Sequence, residues 1–597
     1  MKGVSFLPLI LVIAGFIGFF VVCLNNIAFR LTVQENNLLV GVVDEKLQDS
    51  STFKEIYNFF SSALSKAELK DKIEELSQSY GLDFGKQSFS YNQFGSNSTV
   101  HGQNYFSILR SSSSSQLETI VFSTSLTDKI EEYIGSVIVL FYLSQYMKKQ
   151  VYLAKDVIIL FVDQEEIGAQ AWLEAYHSEK NSKSITYSDL SIRSGSIEAA
   201  FNIILPLYSS HVEIEMTGLN GQMPCLDLVA TAFTLCQKHN LPVYLNNIPM
   251  SHYRDDPIQD IYTYFMSSYK QAVNSPEGIH SIFKPYQISS VSIIGVGGRR
   301  RISLMLFGNV LEGILRSFNN LQERLHASVF YFILPNFYNF ASNGIYTPPV
   351  LVLIASLAVR VFFNIKVLKE TNPESFSSDG LLKIVSISSI ISIVYFYLMK
   401  RFPFTSMMKD LSVENLFPIS LAIFTSFSIA TLLISIFVDR KTDWIYTKII
   451  KNFIWALFLC CYSCYNASTS FYMATLACPV VCLISVESRL KKVLSMISLL
   501  VICPPLALVY SQLFSAVVRS SIYTPENILN IAKTIDQDSL NNALKRAIIE
   551  YEDYGVINWT LYGVYCLIWM FTWSLLSLSP ISTANSKGEP IKKVKTN

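Results

Sequence analysis

Residues 156–177 read DVIILFVDQEEIGAQAWLEAYH, and this stretch decides the fold class. An uninterrupted apolar strand, Val157–Val162, leads into acidic residues and then into a helix with an apolar face. That order of elements is one strand–helix unit of an α/β domain. Glu165 and Glu166 follow the carboxyl end of the strand, which is where open α/β sheets bind their ligands. The stretch therefore predicts both the class of the domain and the position of a candidate site.

Strands and helices alternate on both sides of this unit. The predicted strands are Glu118–Ser123, Asp156–Val162, Ile197–Leu205, His211–Met216 and Ser289–Val296, and the predicted helices are Lys129–Met147, Glu165–Ser178, Leu226–His239 and Asp260–Val273. Alternation of this kind predicts a mostly parallel sheet with helices on both faces. The predicted domain comprises residues 25–335, which is long enough for a packed core.

A helix predicted over Asn309–Ile333 ends this domain. Asn309 and Glu312 have the spacing of a capping box. Apolar residues recur along the helix at steps of three, four and seven, which gives it one apolar face. This amphipathic helix either packs on the sheet of its own domain or lies at the membrane surface or against a partner subunit.

The composition is that of a membrane protein. Hydrophobic residues make up 50% of the chain and charged residues only 16%, with a mean hydropathy of +0.33. The net charge of +1 argues against nucleic acid as a partner, because no broad basic field is present to neutralise phosphates. The uncharged run Val4–Leu24 is long enough to cross a bilayer and lacks the cleavage site of a signal peptide. Residues 1–24 are therefore predicted to form an amino-terminal signal anchor.

A membrane domain of seven further helices is predicted over residues 345–578, which gives about eight transmembrane helices in all. The spans are Ile345–Ile365, Leu381–Met399, Leu416–Val438, Ile449–Cys464, Ser468–Val486, Val493–Gln512 and Asn558–Leu578. Basic residues at 439–451, at 489–492 and in the tail at 579–597 fall on the same side as Lys2. The positive-inside rule makes that side cytosolic, so both termini are predicted to be cytosolic and the large domain lumenal.

Two short motifs agree with this topology. Lys593 and Lys595 form a K-x-K-x-x carboxyl terminus, which on a cytosolic tail is a signal for retrieval to the endoplasmic reticulum. Asn97 heads a glycosylation sequon, and a lumenal domain would make it accessible for modification. The chain is therefore predicted to be a multi-pass glycoprotein of the endoplasmic reticulum membrane.

The candidate site invites comparison with zinc aminopeptidases, which place paired carboxylates at the same strand end as Glu165 and Glu166, as base and metal ligand. His280, in the run GIHSIF, resembles the position of a late zinc ligand in those enzymes. They also require a His-x-Asp after an earlier strand, where residues 118–128 read ETIVFSTSLTD without a histidine, and an aspartate after the next strand, where residues 203–207 have none. Zinc needs three or four well-placed ligands. We therefore predict no cofactor and regard Glu165, Glu166 and His280 as vestiges of a metal site.

A glycine-rich turn supplies a second candidate site. Residues 295–298 read GVGG and lead into Arg299, Arg300 and Arg301. Backbone amides and guanidinium groups together are able to hold a phosphate or a lipid headgroup. A solvated basic turn is the alternative interpretation.

Four motifs in this order resemble the Gaa subunit of the glycosylphosphatidylinositol (GPI) transamidase. They are AWLEAYH at residues 171–177, GSIEAA at 195–200, GLNGQMPCLDL at 218–228 and RSFNNL at 316–321, the last leading to His326 and an aromatic run. The resemblance covers the anchor, the large domain, the spans and the dilysine tail.

The resemblance implies a complex of the endoplasmic reticulum that replaces a carboxyl-terminal signal of a proprotein with a preassembled GPI lipid. In that family a separate cysteine-protease-like subunit performs the transamidation, and the Gaa subunit has a peptidase-like lumenal domain without its metal site. The expected function is that of a non-catalytic subunit that helps recruit the lipid and hold the complex. Its expected partners are the other subunits, the GPI lipid, the proprotein and the membrane. The alternative is a membrane-tethered, zinc-dependent aminopeptidase.

Overall fold

In a computed structural model, the structure describes residues 6–24, 27–42, 44–45, 47, 49–63, 65–94, 98–112, 117–250, 257–298, 301–325, 331–371, 378–404, 415–437, 444–486, 488–520 and 525–579. The chain forms two compact units. The sheet unit consists of Phe20–Thr347 and Ala547–Asn558, and the helical unit consists of Met1–Phe19, Pro348–Arg546 and Trp559–Asn597. The sheet unit thus takes in a short segment that lies far along the chain.

The sheet unit is built on a sheet of ten strands. In chain order they are β2 (Asp83–Asn92), β3 (Thr99–Leu109), β4 (Glu118–Leu126), β5 (Asp156–Asp163), β6 (Ile185–Tyr187), β7 (Ser196–Ile204), β8 (His211–Glu215), β9 (Val243–Leu245), β10 (Ile248–Pro249) and β11 (Ser289–Val296), and their order in the sheet is β10-β9-β8-β11-β7-β4-β5-β3-β2-β6. All five predicted strands are confirmed to within a few residues. A small second sheet joins β1 (Phe29–Arg30), β13 (Asn339–Ser342) and β12 (Phe332–Asn336).

The prediction of a mostly parallel sheet is wrong. Four central strands, β11, β7, β4 and β5, run parallel, whereas β8 and β3 run antiparallel to them at either side. The pair β2–β3 is antiparallel as well, since a connection of only six residues allows a hairpin and not a parallel crossover. The sheet is therefore mixed, with a parallel centre that holds the predicted strand β5.

Helices cover both faces of the sheet, as predicted. After α1 (Leu7–Val21) they are α2 (Ser50–Ser61), α3 (Lys66–Ser79), α4 (Ile134–Lys148), α5 (Glu165–His177), α6 (Leu226–Lys238), α7 (Pro257–Val273), α8 (Ile279–Ile282) and α9 (Leu304–Asn319). Side chains of α2, α3, α4, α6 and α9 share one apolar core, while those of α5 and α8 share another. The four helices predicted between residues 129 and 273 are confirmed.

The helix predicted over Asn309–Ile333 is wrong at both ends. α9 begins earlier, where the Ser303 side chain caps it by accepting from the Met305 amide. Glu312 does not close a capping box, because its buried carboxylate accepts from the Leu47 amide at 2.9 Å. Phe332 lies in strand β12 instead of a helix. The apolar face of α9 packs into the core of its own unit, where Phe318 contacts Phe201 edge to face.

The helical unit continues the chain with further helices. They are α10 (Asn343–Thr371), α11 (Ser378–Arg401), α12 (Leu416–Phe437), α13 (Trp444–Tyr465), α14 (Ala467–Leu483), α15 (Arg489–Val501), α16 (Pro504–Ser520), α17 (Pro525–Thr534), α18 (Gln537–Asp553) and α19 (Asn558–Leu578). The sequence did not predict the two amphipathic helices α17 and α18.

The predicted total of about eight spans is not confirmed. Within the described residues, five helices are long and apolar enough to cross a membrane, and α15 with α16 would add a sixth if this pair, bent by 44°, is a single span. The bend lies just before Pro504, whose ring cannot continue the hydrogen bonding of the preceding helix. α1 and α14 are apolar but have only 15 and 17 residues. The described part of α1 is shorter than the roughly 17–25 residues that usually cross a bilayer, and α14 lies at the lower limit of that range.

Candidate functional site

The turn between β5 and α5 holds the predicted carboxylates in an uncommon backbone conformation. Gln164 and Glu165 both have left-handed φ angles, of 58° and 48°. Asn104 on the neighbouring strand fixes the turn, since its Oδ1 accepts from the Asp163 amide at 3.0 Å and its Nδ2 donates to the Gly168 carbonyl at 2.8 Å. A Cβ atom at Gly168 would lie 1.9 Å from the Asp163 carbonyl oxygen. The turn therefore requires a glycine at 168, which lets α5 approach β5 closely.

Asp163 anchors the same turn electrostatically. Its carboxylate pairs with Lys66 at 2.8 Å and with Lys70 at 2.7 Å, and its side chain is 6% exposed. Burial alone would raise the pKa of Asp163, but the two lysines outweigh burial and hold the pKa below its ordinary value. The role of Asp163 is not predictable from its own neighbours in the chain, because both cations come from α3, about ninety residues earlier.

Glu165 and Glu166 differ in their surroundings. Glu165 is exposed, whereas Glu166 is half-buried. Burial and then the adjacent Glu166 carboxylate raise the pKa of Tyr554 well above its ordinary value, so this phenol is neutral beside the carboxylate. Tyr554 belongs to the late segment of the chain that joins the sheet unit.

We call that segment, residues 547–558, the strap. Its apolar residues pack against the core of α5 and α8: Val556 is fully buried there and Tyr554 lies at the edge. The Asp553 carboxylate, 2% exposed, accepts from both the amide and the hydroxyl of Ser184. The strap therefore covers the region around Glu166 with apolar and hydrogen-bonded contacts.

Polar contacts fasten the rest of the strap. Asn220, in the motif GLNGQMPCLDL, accepts from the Ile557 amide at 3.0 Å. Ser275 donates to the Glu550 carboxylate at 2.8 Å, and Asn558 donates to the Val273 carbonyl at 2.8 Å. The motif that carries the family resemblance therefore serves, in part, to hold the strap.

His280 lies in the core rather than at an open site. It is 1% exposed and ends a row of buried polar groups that crosses three parallel strands, from Ser123 to Asn202 (3.3 Å), Ser292 (3.0 Å) and the Nδ1 atom of His280 (2.7 Å). The Ser292 hydroxyl accepts from Asn202 and shares a second hydrogen bond with the Nδ1 atom of His280. Burial lowers the pKa of His280 to about 4, so the ring is neutral.

The described residues do not fit a zinc centre. No group of three or more histidine, cysteine, aspartate or glutamate side chains among them is placed to hold a metal ion. The Nδ1 atom of His280 is already bound to Ser292, and Asp163 is held by two lysines. The arrangement can bind and orient a chain segment through polar and apolar contacts, and we derive no metal-dependent step from it.

Of the other predicted site residues, the structure describes only Arg301. The guanidinium of Arg301 stacks 4.7 Å from the centre of the Tyr208 ring. Arg299 and Arg300 lie outside the described residues, and so do Asn97, Lys593 and Lys595. The headgroup, glycosylation and retrieval predictions therefore stay predictions.

Acid should destabilise the sheet unit through His280. The pKa of the folded state, about 4, is below the ordinary value of 6.5, so the unfolded chain binds more protons as the pH falls. Stability is therefore complete above pH 6.5 and is lost as the pH falls towards 4, by on the order of 2–3 kcal/mol. Thermal unfolding across this range should be less dependent on pH in His280→Gln than in the wild type. The control His101→Gln removes an exposed imidazole, and an unchanged acid loss in His280→Gln would contradict the assignment.

Solved structures similar to this chain are enzymes, but the likeness is distant. A glutaminyl cyclase from Fimbriiglobus ruber aligns at 11% identity over 47% of this chain and 98% of its own, with a TM-score of 0.32. A Zn-dependent exopeptidase from Parabacteroides distasonis aligns at 10% identity over 46% and 99%, with a TM-score of 0.30. Similarity at this level carries no functional conclusion.

Sequence relatives are more informative. The chain is 27% identical over 376 residues to the "GPI transamidase component gaa1" of Schizosaccharomyces pombe, and 23% identical over 441 residues to the "GPI transamidase component GAA1" of Saccharomyces cerevisiae. These alignments cover 60% and 69% of this chain. The chain spans about two thirds of the length of these relatives, 64% and 67%. The family model described as "Gaa1-like, GPI transamidase component" matches residues 101–577, in both the sheet unit and the helical unit, and the chain therefore belongs to the Gaa1-like family.

Proposed function

We propose that this chain is a non-catalytic subunit of the GPI transamidase complex, which helps recruit the GPI lipid and holds the complex while GPI anchors are attached to protein carboxyl termini. The observation that carries the proposal is the family match over residues 101–577, which includes both units. The two yeast relatives are named as components of the same complex. A subunit that works through its surfaces needs both a folded domain and a set of apolar helices.

The surroundings of Glu166 support a non-catalytic role. An aminopeptidase needs a metal and an accessible carboxylate to activate water. Here no cluster of three or more histidine, cysteine, aspartate or glutamate side chains among the described residues is placed to hold a metal ion, and Glu166 is half-buried, within electrostatic reach of Tyr554 in the strap. The alternative of a zinc aminopeptidase has no comparable support.

The location and partners follow from the same proposal. The apolar helices favour a membrane protein, and transamidase components act in the endoplasmic reticulum. We place the sheet unit in the lumen and both termini in the cytosol, on the charge distribution of the loops. The partners are the other transamidase subunits, including the cysteine-protease-like catalytic subunit, together with the GPI lipid and the proprotein.

Depletion of this chain should leave proproteins with an uncleaved carboxyl-terminal signal while GPI precursors accumulate. Returning the wild-type chain, or the Glu165→Gln variant, should restore anchor attachment equally, whereas loss of a general base costs an enzyme roughly 10²–10⁴-fold in rate. Labelled GPI lipids and proprotein processing are the measurements. Normal anchoring without the chain would refute the proposal. Stoichiometric zinc in the purified chain, lost on Glu166→Ala, would favour the aminopeptidase.

A further inference from the structure

Two basic side chains of the helical unit donate hydrogen bonds to the carboxyl end of α14. Lys451 donates from Nζ to the Val481 carbonyl at 2.6 Å. Arg360 donates from Nε and from Nη2 to the next carbonyl, that of Cys482, at 3.4 Å each. The last four carbonyls of a helix lack partners within the helix, so these bonds satisfy part of that end. The basic loop predicted around Lys451 is thus partly helix α13, and this lysine is buried, with 2% exposure.

The positive charge at this point exceeds the negative charge that the helix end supplies. A helix carboxyl terminus carries about half of one negative charge. Arg360 brings one full positive charge to it and Lys451 adds a second basic group, and neither side chain pairs with a carboxylate within the described residues. Lys448 lies one helical turn before Lys451 and adds a third cation to the same part of α13. A buried ammonium group is stable only when opposite charge or strong hydrogen bonds compensate for its lost hydration.

A further cation lies near the helix ends on this side. Lys492 at the start of α15 donates to the carbonyls of Ser577 and Ser579. Basic pockets between transmembrane helices bind anionic lipid headgroups, because a phosphate supplies charge where water is scarce. A guanidinium offers such a phosphate a planar pair of donors, and an ammonium offers a point charge.

We propose that Arg360 and Lys451, between α10, α13 and α14, bind the phosphate-bearing headgroup of an anionic membrane phospholipid. A guanidinium and an amine at a helix end that carries only about half a negative charge favour a strongly anionic headgroup, such as a phosphomonoester. The site belongs to the helical unit alone and does not depend on the proposed role in GPI attachment. Free phosphate has the same chemistry, and the experiment below separates the two sources.

The test uses the full chain in nanodiscs of phosphatidylcholine, with and without phosphatidylinositol 4-phosphate. Native mass spectrometry counts the retained lipid, and the shift in Tm reports stabilisation. The Arg360→Gln/Lys451→Met variant should bind this lipid roughly tenfold or more weakly and lose most of the Tm shift. Lys366→Gln/Lys369→Gln removes two basic groups from exposed positions on α10. This control should keep most of the lipid binding and most of the Tm shift.

Any of the following outcomes would refute the proposed lipid site. Equal loss in both double variants would mean that the lipid responds only to general charge. Unchanged binding in Arg360→Gln/Lys451→Met would refute the site directly. A Tm shift with inorganic phosphate in neutral nanodiscs, equal to that with the lipid, would indicate an adventitious ion only. If the double variant does not fold, Arg360→Gln alone decides, because this side chain is only half-buried and unchanged binding would equally refute the site.

Discussion

Gly168→Ala is expected to lower the stability of the sheet unit around β5 and α5 by about 3 kcal/mol or more. The added methyl group would lie 1.9 Å from the Asp163 carbonyl oxygen and 2.8 Å from the Oδ1 atom of Asn104. The first of these is backbone, so the clash can be relieved only if α5 moves away from β5. Such a movement would also break the hydrogen bonds from Asn104 that hold the turn.

Hydrogen–deuterium exchange of the full chain in detergent measures this loss locally. Peptides from residues 156–177 should exchange about a hundredfold faster in Gly168→Ala, since every 1.4 kcal/mol is a factor of ten. Gly297→Ala is the matched control, because its new Cβ would meet nothing closer than the Tyr208 carbonyl oxygen at 3.9 Å. Similar protection in Gly168→Ala and the wild type would show that the turn has more freedom than its geometry indicates.

Val556→Asp is expected to release the strap from the sheet unit. Val556 is fully buried against the apolar core of α5 and α8, and placing a carboxylate there costs several kcal/mol in lost hydration. Solvation of the new aspartate requires the strap to detach, which exposes Tyr554 and the residues beneath it. Limited proteolysis of the full chain between residues 549 and 557 should become rapid, while protection of β4 and β5 changes little.

The strap offers its own control in Glu552→Gln. Glu552 pairs with Lys183 at 3.1 Å, but the lysine is 68% exposed, and such surface ion pairs contribute only about 0–1 kcal/mol. This variant should keep the strap in place. Equal protease resistance in Val556→Asp and Glu552→Gln would mean that Val556 does not hold the strap, and simultaneous loss of β5 protection would mean that the strap is part of the global core.

The central strands were predictable because their own sequences carry the signal. Val157–Val162 is apolar throughout, and β5 is buried along its whole length. β2 and β3 were missed because they are rich in serine, asparagine, glutamine and glycine, which have weak strand preference. They pair with each other, and β3 also pairs with β5, a strand about fifty residues later that no local window contains.

Only part of the candidate site could be predicted from the sequence. The position of Glu165 and Glu166 at the end of β5 follows from the strand–helix pattern, and the structure confirms it. The sequence predicts His280 to be a vestigial metal ligand, because a motif shows the neighbours of His280 in the chain but not the strands that pack against it. The strap could not be foreseen, since no motif marks residues 547–558 and their partners are hundreds of residues earlier in the chain.

The discontinuity of the sheet unit has a consequence for how the protein is made. Between Thr347 and Ala547 the ribosome must synthesise about 200 residues, which at roughly 5–20 residues per second takes on the order of 10–40 seconds. During that interval the nascent domain has its sheet but not its strap, and the apolar surface that will contact Val556 is exposed to solvent. A chaperone could bind this surface only until the strap is synthesised and covers it. The domain would then be complete only after synthesis has reached the start of α19.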